Sequence, residues 1–147
     1  MKYITKTFAV PFALMCVMMI ASSCQKDNSA VPADEVLAPG EVEMKQPDPG
    51  TYTITKFIDT GDDETAQFNG YTFKFKTNGN LIATAPNGDV FNGSWSLNSA
   101  ETVMTINITG TPALDDLDDD DWNVVKITNQ KIKIKKNGPD IVVFEKI

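Results

Sequence analysis

Tyr71-Thr72-Phe73-Lys74-Phe75-Lys76-Thr77-Asn78-Gly79-Asn80-Leu81 is the stretch from which the fold can be read. Apolar and polar residues alternate strictly from Tyr71 to Lys76, placing Tyr71, Phe73 and Phe75 on one face and Thr72, Lys74 and Lys76 on the other. A period of two is the signature of an extended strand with one buried face. Asn78-Gly79 ends it, because that dipeptide tolerates the positive φ of a tight hairpin turn. The expected unit is therefore strand, short turn, strand.

The same texture runs outward in both directions. Thr51–Ile58 is dominated by β-branched and aromatic residues, and Leu81–Ala85 follows the first hairpin turn. After Asn87-Gly88-Asp89, Val90–Leu97 places Phe91, Gly93, Trp95 and Leu97 on one side, with Gly93 marking a bulge or a close approach by another backbone. Val103–Ile108, Trp122–Thr128, Lys131–Lys135 and Ile141–Ile147 complete the set, the last pair joined through Asn137-Gly138-Pro139-Asp140. These are eight strand candidates with no convincing helix between them. Short strands and tight turns in succession predict an all-β fold, an antiparallel eight-stranded up-and-down barrel or a strongly bent sandwich. The predicted inward residues are Tyr52, Ile54, Phe73, Phe75, Phe91, Trp95, Met104, Ile106, Trp122 and Phe144.

Composition narrows the chemistry. The chain has 147 residues, enough for one domain, and a formal charge of −7. It contains no histidine, and all 13 basic residues are lysine. Ser-His-Asp and Cys-His catalysis, His-ligated zinc and bidentate arginine clamps are thereby removed. An acidic balance also argues against nucleic acid, whose backbone requires a basic surface. Clustered carboxylates such as Asp62, Asp63 and Glu64 fix no acid/base geometry. The expectation is a protein that is not an enzyme and needs no cofactor.

The N-terminus reads as an address. Lys2 and Lys6 precede the uncharged apolar run Phe8–Ile20, which is shorter than the roughly 20 residues a membrane span requires but suits a signal-peptide core. Ala21-Ser22-Ser23-Cys24 follows, and resembles the lipobox of bacterial lipoproteins, with Ala21 at the place usually held by leucine. That resemblance implies a signal peptide over 1–23, acylation of Cys24, and attachment to the membrane through an N-terminal lipid anchor. Cys16 would leave with the signal, so the mature chain would keep a single cysteine that cannot form an internal disulfide. Gln25-Lys26-Asp27-Asn28 looks like the short polar signal that sends some lipoproteins to the outer surface, so the expected location is the bacterial outer membrane, leaning to surface-exposed over periplasmic. Residues 24–49 carry Pro32, Pro39, Pro47 and Pro49 and no aromatic residue, which predicts a disordered tether up to Pro49.

Residues 50–147 as a whole resemble a family of small lipocalin-like domains on bacterial lipoproteins. The resemblance rests on Gly50-Thr51-Tyr52, Phe68-Asn69-Gly70-Tyr71-Thr72-Phe73-Lys74-Phe75, Asn78-Gly79, Gly93-Ser94-Trp95-Ser96, Asp120-Asp121-Trp122 and Phe144-Glu145-Lys146. It implies an eight-stranded up-and-down barrel and leaves the ligand undefined. True lipocalins have a tryptophan in the first strand and a C-terminal arginine packed over it, and this chain has neither.

Candidate sites follow from these readings. Tyr52, Phe73, Phe75, Phe91, Trp95, Met104 and Trp122 could line a pocket for a small apolar ligand, or could fill the barrel themselves. Strands of about seven residues make a barrel only about 23 Å long, which favours a mostly packed core with a small mouth pocket. The acidic run Asp115–Asp121 offers oxygen ligands, with Asp118 and Asp120 as calcium candidates, but lacks the spacing of an EF-hand, so no metal site is expected. Lys131, Lys133 and Lys135 share one face, which reads as the solvent side of an edge strand or as a surface for an anionic glycan. Two functions are open: a lipid-anchored, non-enzymatic barrel binding a small apolar ligand, or a surface adhesion or assembly module that meets a glycan or protein partner with its outer sheet face.

Overall fold

The computed structural model describes residues 37–147. The signal peptide over 1–23, Cys24 and the tether as far as residue 36 lie outside the described residues. The strands are β1 (Gly50–Asp59), the two-residue β2 (Asp62–Asp63), β3 (Thr72–Phe75), β4 (Asn80–Thr84), β5 (Val90–Leu97), β6 (Val103–Asn107), β7 (Asp119–Ile127), β8 (Lys131–Lys135) and β9 (Ile141–Lys146). Each long strand pairs antiparallel with the next in sequence, and β1 also pairs with β9, from Tyr52↔Lys146 to Ile58↔Ile141. β1 pairs with β3 on its other side, from Gly50↔Phe75 to Tyr52↔Phe73. The result is a closed antiparallel barrel of eight strands, with β2 folded back as a short hairpin on β1. Closure settles the choice between barrel and bent sandwich. Register shifts at Ile54/Lys56, Met104/Ile106 and Val124/Lys126 supply the bulges that bend the strands into a ring.

The barrel's two ends differ. At one, the turns 76–79, 98–102 and 128–130 meet the start of β1 and the end of β9; the segment 37–49 joins there, and we call it the arm end. At the other lie the 60–61, 85–89 and 136–140 turns, a 3-10 turn over Thr65–Phe68 and a one-turn helix, α1 (Pro112–Asp115). We call this the helix end.

The inward alternation predicted from sequence is observed. Tyr52, Phe73, Phe75, Met104, Ile106, Trp122 and Phe144 are fully buried, and Ile54 and Trp95 nearly so. Phe91 differs: it is half-buried, packed against the core's margin with its ring over Gly110. Its position near the start of β5, at the helix end, leaves one side of the ring outside the barrel. Gly93 performs the close approach expected of it. A Cβ there would overlap the Asn107 carbonyl and come within 2.8 Å of the Ile108 side chain, so no larger residue fits.

Three expectations need correction. The 108–119 connection contains a helical turn, because Thr111 caps it by accepting from the Leu114 N–H at 3.3 Å and Pro112 opens it. β7 begins at Asp119, three residues before the predicted start at Trp122, because pairing with β6 (Ile106↔Asp119) recruits residues of low strand propensity. The segment 41–49, read as part of a disordered tether, is instead an ordered arm. The Met44 N–H bonds the Ile127 carbonyl at 2.9 Å, the Asn129 N–H bonds the Val42 carbonyl at 3.0 Å, and Glu43 bridges Thr128. β6 pairs with β7 as far as Val103↔Asn123, with one further bond from the Val124 N–H to the Thr102 carbonyl; beyond it β7 has an open edge, and the arm's backbone supplies partners at Ile127–Asn129.

Candidate functional site

The barrel interior was the first candidate, and its residues come from every long strand. A chain of rings crosses it. Phe75 contacts Tyr52 (centroids 5.4 Å), Trp95 (5.9 Å) and Phe144 (5.3 Å), all edge-on. Phe144 then meets Phe73 at 5.4 Å, Phe73 meets Phe68 at 6.1 Å, and Phe68 meets Phe57 at 4.8 Å. All but the tilted Phe68–Phe73 pair are edge-on, a favoured geometry for aromatic pairs, and with Tyr52, Phe57, Phe68, Phe73, Phe75 and Phe144 all at 2% exposure or less there is no room for a further ring among them. Leu81, Ala83, Ile132, Ile134 and Val142, all fully buried, complete the packing. Of the seven pocket candidates, Tyr52, Phe73, Phe75, Trp95, Met104 and Trp122 are brought together inside the barrel, and Phe91 stands at its margin.

Both ends are closed by side chains. At the helix end, Leu114 and Leu117 are fully buried beside Phe68, 2% exposed. α1 turns Leu114 inward, and the turn that follows, closed by the Leu117 N–H on the Leu114 carbonyl, turns Leu117 inward, while Asp115 and Asp116 stay exposed. The aspartates of this connection brace it. Asp118 Oδ1 accepts from the Ile108 N–H at 3.1 Å and Asp115 Oδ1 from the Gly110 N–H at 3.2 Å. Asp118 is thus occupied by backbone, and the Asp120 side chain lies outside the described residues. Among the described residues no group of acidic or thiol side chains could hold a metal ion.

At the arm end, Tyr52 donates to the Asp48 carbonyl at 2.6 Å and Trp95 Nε1 to the Lys76 carbonyl at 3.0 Å. Burial, with a smaller contribution from the Asp48 charge, pushes the Tyr52 hydroxyl up to about 12. Lys146 lies opposite Tyr52 in register, covers Gly50 with its alkyl stem, and holds Asp48 at 2.5 Å. A lysine thus lies across the start of β1 at this end and pairs with Asp48, whose carbonyl Tyr52 bonds. Sequence reasoning had Gly50, Tyr52 and Lys146 in view, but the signal that joins them is the β1–β9 pairing, which spans the whole domain. The arm also buries Thr128, whose hydroxyl donates to Glu41 Oε1 at 2.6 Å. That bond, and the Ala38 N–H, hold the Glu41 carboxyl below the usual range.

The grooves bordered by described residues lie on the wall and rim. One, of about 530 Å³, runs along Pro49, Gly50 and Lys74–Asn78; another, of about 340 Å³, lies between Ala38–Glu41 and Gln130, Lys131, Glu145 and Lys146. The lysine face of β8 needs correction as well. β8 is paired on both sides, with β7 and β9, so it is no edge strand and its lysines do not protect an edge.

This geometry defines a lipocalin-like barrel with a filled interior. No protein-family model matches the chain, and no curated protein matches it. Similar solved structures include a lipocalin-like protein from Bacteroides uniformis, 15% identical, covering 67% of this chain and 97% of that one with a TM-score of 0.51. A DUF4847 family protein from Bacteroides vulgatus is also 15% identical, covering 66% of this chain and 92% of that one with a TM-score of 0.49. At such identity the likeness to the first is one of fold.

Proposed function

We propose that this chain is a lipid-anchored, non-enzymatic lipoprotein of the bacterial envelope whose barrel meets its partner with its outer wall and rim. The observation that carries this reading is the continuous ring packing from Tyr52 through Phe75, Phe144 and Phe73 to Phe68, with Leu114 and Leu117 buried at the helix end. An interior occupied in this way has no volume for a drug-sized apolar ligand, which needs roughly 300 Å³ or more. The anchor reading rests on the Lys2-to-Cys24 pattern, and the absence of histidine and arginine supports a role without catalysis.

Native mass spectrometry of the barrel incubated with a bacterial lipid extract tests the interior. The expected spectrum is the bare chain. A discrete one-to-one lipid adduct that survives Leu97→Asp at the rim, but not enlargement of an interior residue, would overturn it. For the anchor, cells are labelled with radioactive palmitate, and label retained by Cys24→Ala would end the lipoprotein reading.

A further inference from the structure

The barrel's charge is segregated between its ends. At the helix end the Asp59–Glu64 turn contributes four carboxylates, the Asp115–Asp118 segment three, and Asp89 and Asp140 one each, against Lys135, Lys136 and Lys56, whose charge reaches Asp63. At the arm end six lysines (Lys45, Lys74, Lys76, Lys126, Lys131 and Lys146) meet five carboxylates. Three of those lysines are ion-paired there: Lys45 with Glu101 at 3.9 Å, Lys131 with Glu145 at 3.3 Å, and Lys146 with Asp48 at 2.5 Å. One end is therefore strongly negative and the other close to neutral. Strands of this length put the two ends about 20 Å apart, roughly two Debye lengths at about 0.1 M salt, so a charged plane senses them separately.

The arm sets the end at which the chain enters the barrel. Residues 38–41 lie against Gln130, Lys131, Glu145 and Lys146 at the arm end, and the arm then runs to Pro49 at that same end. The chain from Cys24 to Leu37 reaches at most about 45 Å even fully extended, so an acyl anchor at Cys24 leaves the barrel close to the bilayer. We propose that the barrel docks by its arm end on an anionic phospholipid headgroup surface, with Lys74 and Lys76 at the contact and the carboxylate-rich helix end turned away. This rests on the lipid-anchor reading. Turning the barrel over would press nine helix-end carboxylates towards like charge, whereas the arm end meets the same surface with its own charges almost cancelled. Lys74 is exposed and Lys76 half-buried, and both border the Pro49–Gly50 groove at that end.

The test uses the mature full-length protein on vesicles of phosphatidylglycerol and phosphatidylethanolamine, with phosphatidylcholine vesicles and detergent as references. An amine-reactive reagent is applied briefly, and labelling is read lysine by lysine by mass spectrometry. On the anionic vesicles Lys74 and Lys76 should label at least about threefold more slowly than in detergent while Lys135 is unchanged, and the difference should vanish near 0.5 M salt. Uniform slowing, slowing of Lys135 instead, or equal slowing on neutral vesicles would overturn the proposal. Equal protection by soluble dextran sulfate without vesicles would overturn it too, by replacing the membrane with a polyanion. If the protein does not float with vesicles, the anchor reading has failed by itself. The Cys24 thiol is then coupled to a maleimide lipid in the same vesicles, and the same labelling pattern still decides the orientation.

Discussion

Replacing Phe75 with alanine is the sharpest test of a filled barrel. The ring is 1% exposed and touches Tyr52, Trp95 and Phe144 at centroid separations between 5.3 and 5.9 Å. Removing it vacates on the order of 100 Å³, which at about 24 cal/mol per Å³ costs about 2.4 kcal/mol. The lost transfer energy adds about 2 kcal/mol, for a total of about 4 kcal/mol. Collapse of the neighbours would reduce this, but Trp95 is held by its Nε1 bond to the Lys76 carbonyl at 3.0 Å, and Tyr52 by its bond to the Asp48 carbonyl at 2.6 Å. A domain of this size has about 5–15 kcal/mol in all, so the variant should be marginal. Urea titration followed by tryptophan fluorescence reads the loss as a lowered midpoint at unchanged slope. Saturating benzene should restore part of it, because a dry cavity lined by rings binds an apolar guest. A loss below about 1.5 kcal/mol with an unchanged slope would refute the reasoning, since the ring would then border slack space.

Three further outcomes are expected. Gly93→Val should cost at least about 2 kcal/mol in the same titration, because its Cβ overlaps the Asn107 carbonyl; a near-neutral result would mean β5 and β6 are not held that closely. Glu41 has a depressed folded pKa, so its contribution is present above the unfolded value near 4.5 and is lost as pH falls through the lower folded one. Amide protection at Val42–Met44, taken against the intrinsic exchange rate at each pH, should fall over that acid range, and Glu41→Gln should remove the dependence. For Tyr52 the sign is opposite: with its hydroxyl raised to about 12, stability holds below pH 10 and declines between about 10 and 12. Tyr52→Phe should flatten the alkaline limb of thermal melts, and an unchanged limb would place the titration elsewhere.

The strands were readable because one physical rule, alternation about a half-buried sheet, repeats along the chain. Tyr71–Lys76 carries that rule plainly, and the Asn-Gly turn beside it takes the positive φ at Gly79 that it needs. The faces follow directly, since a period of two leaves only one apolar side to bury, as Ile132 and Ile134 confirm at 0% exposure. Phe91 is where the rule reaches its limit, because alternation assigns a face but not the depth along the barrel.

What remained hidden depends on contacts far apart in sequence. The aspartate run masked β7's first residues and the leucines beside them, which become a plug only when Thr111 caps a turn and β6 accepts Asp119 as a partner. Glu41–Pro49 has the composition of a linker and orders because β7 outruns β6 and leaves backbone groups for the arm to satisfy. Local sequence determined most of this protein's strands, turns and inward faces. Tertiary structure alone decided that the sheet closes, that β8 has two neighbours, that Lys146 lies across Gly50, and that the Asp59–Glu64 and Asp115–Asp118 carboxylates lie at the end opposite the arm. Those outcomes turn on backbone pairing between distant segments, which no side-chain pattern within a single strand encodes.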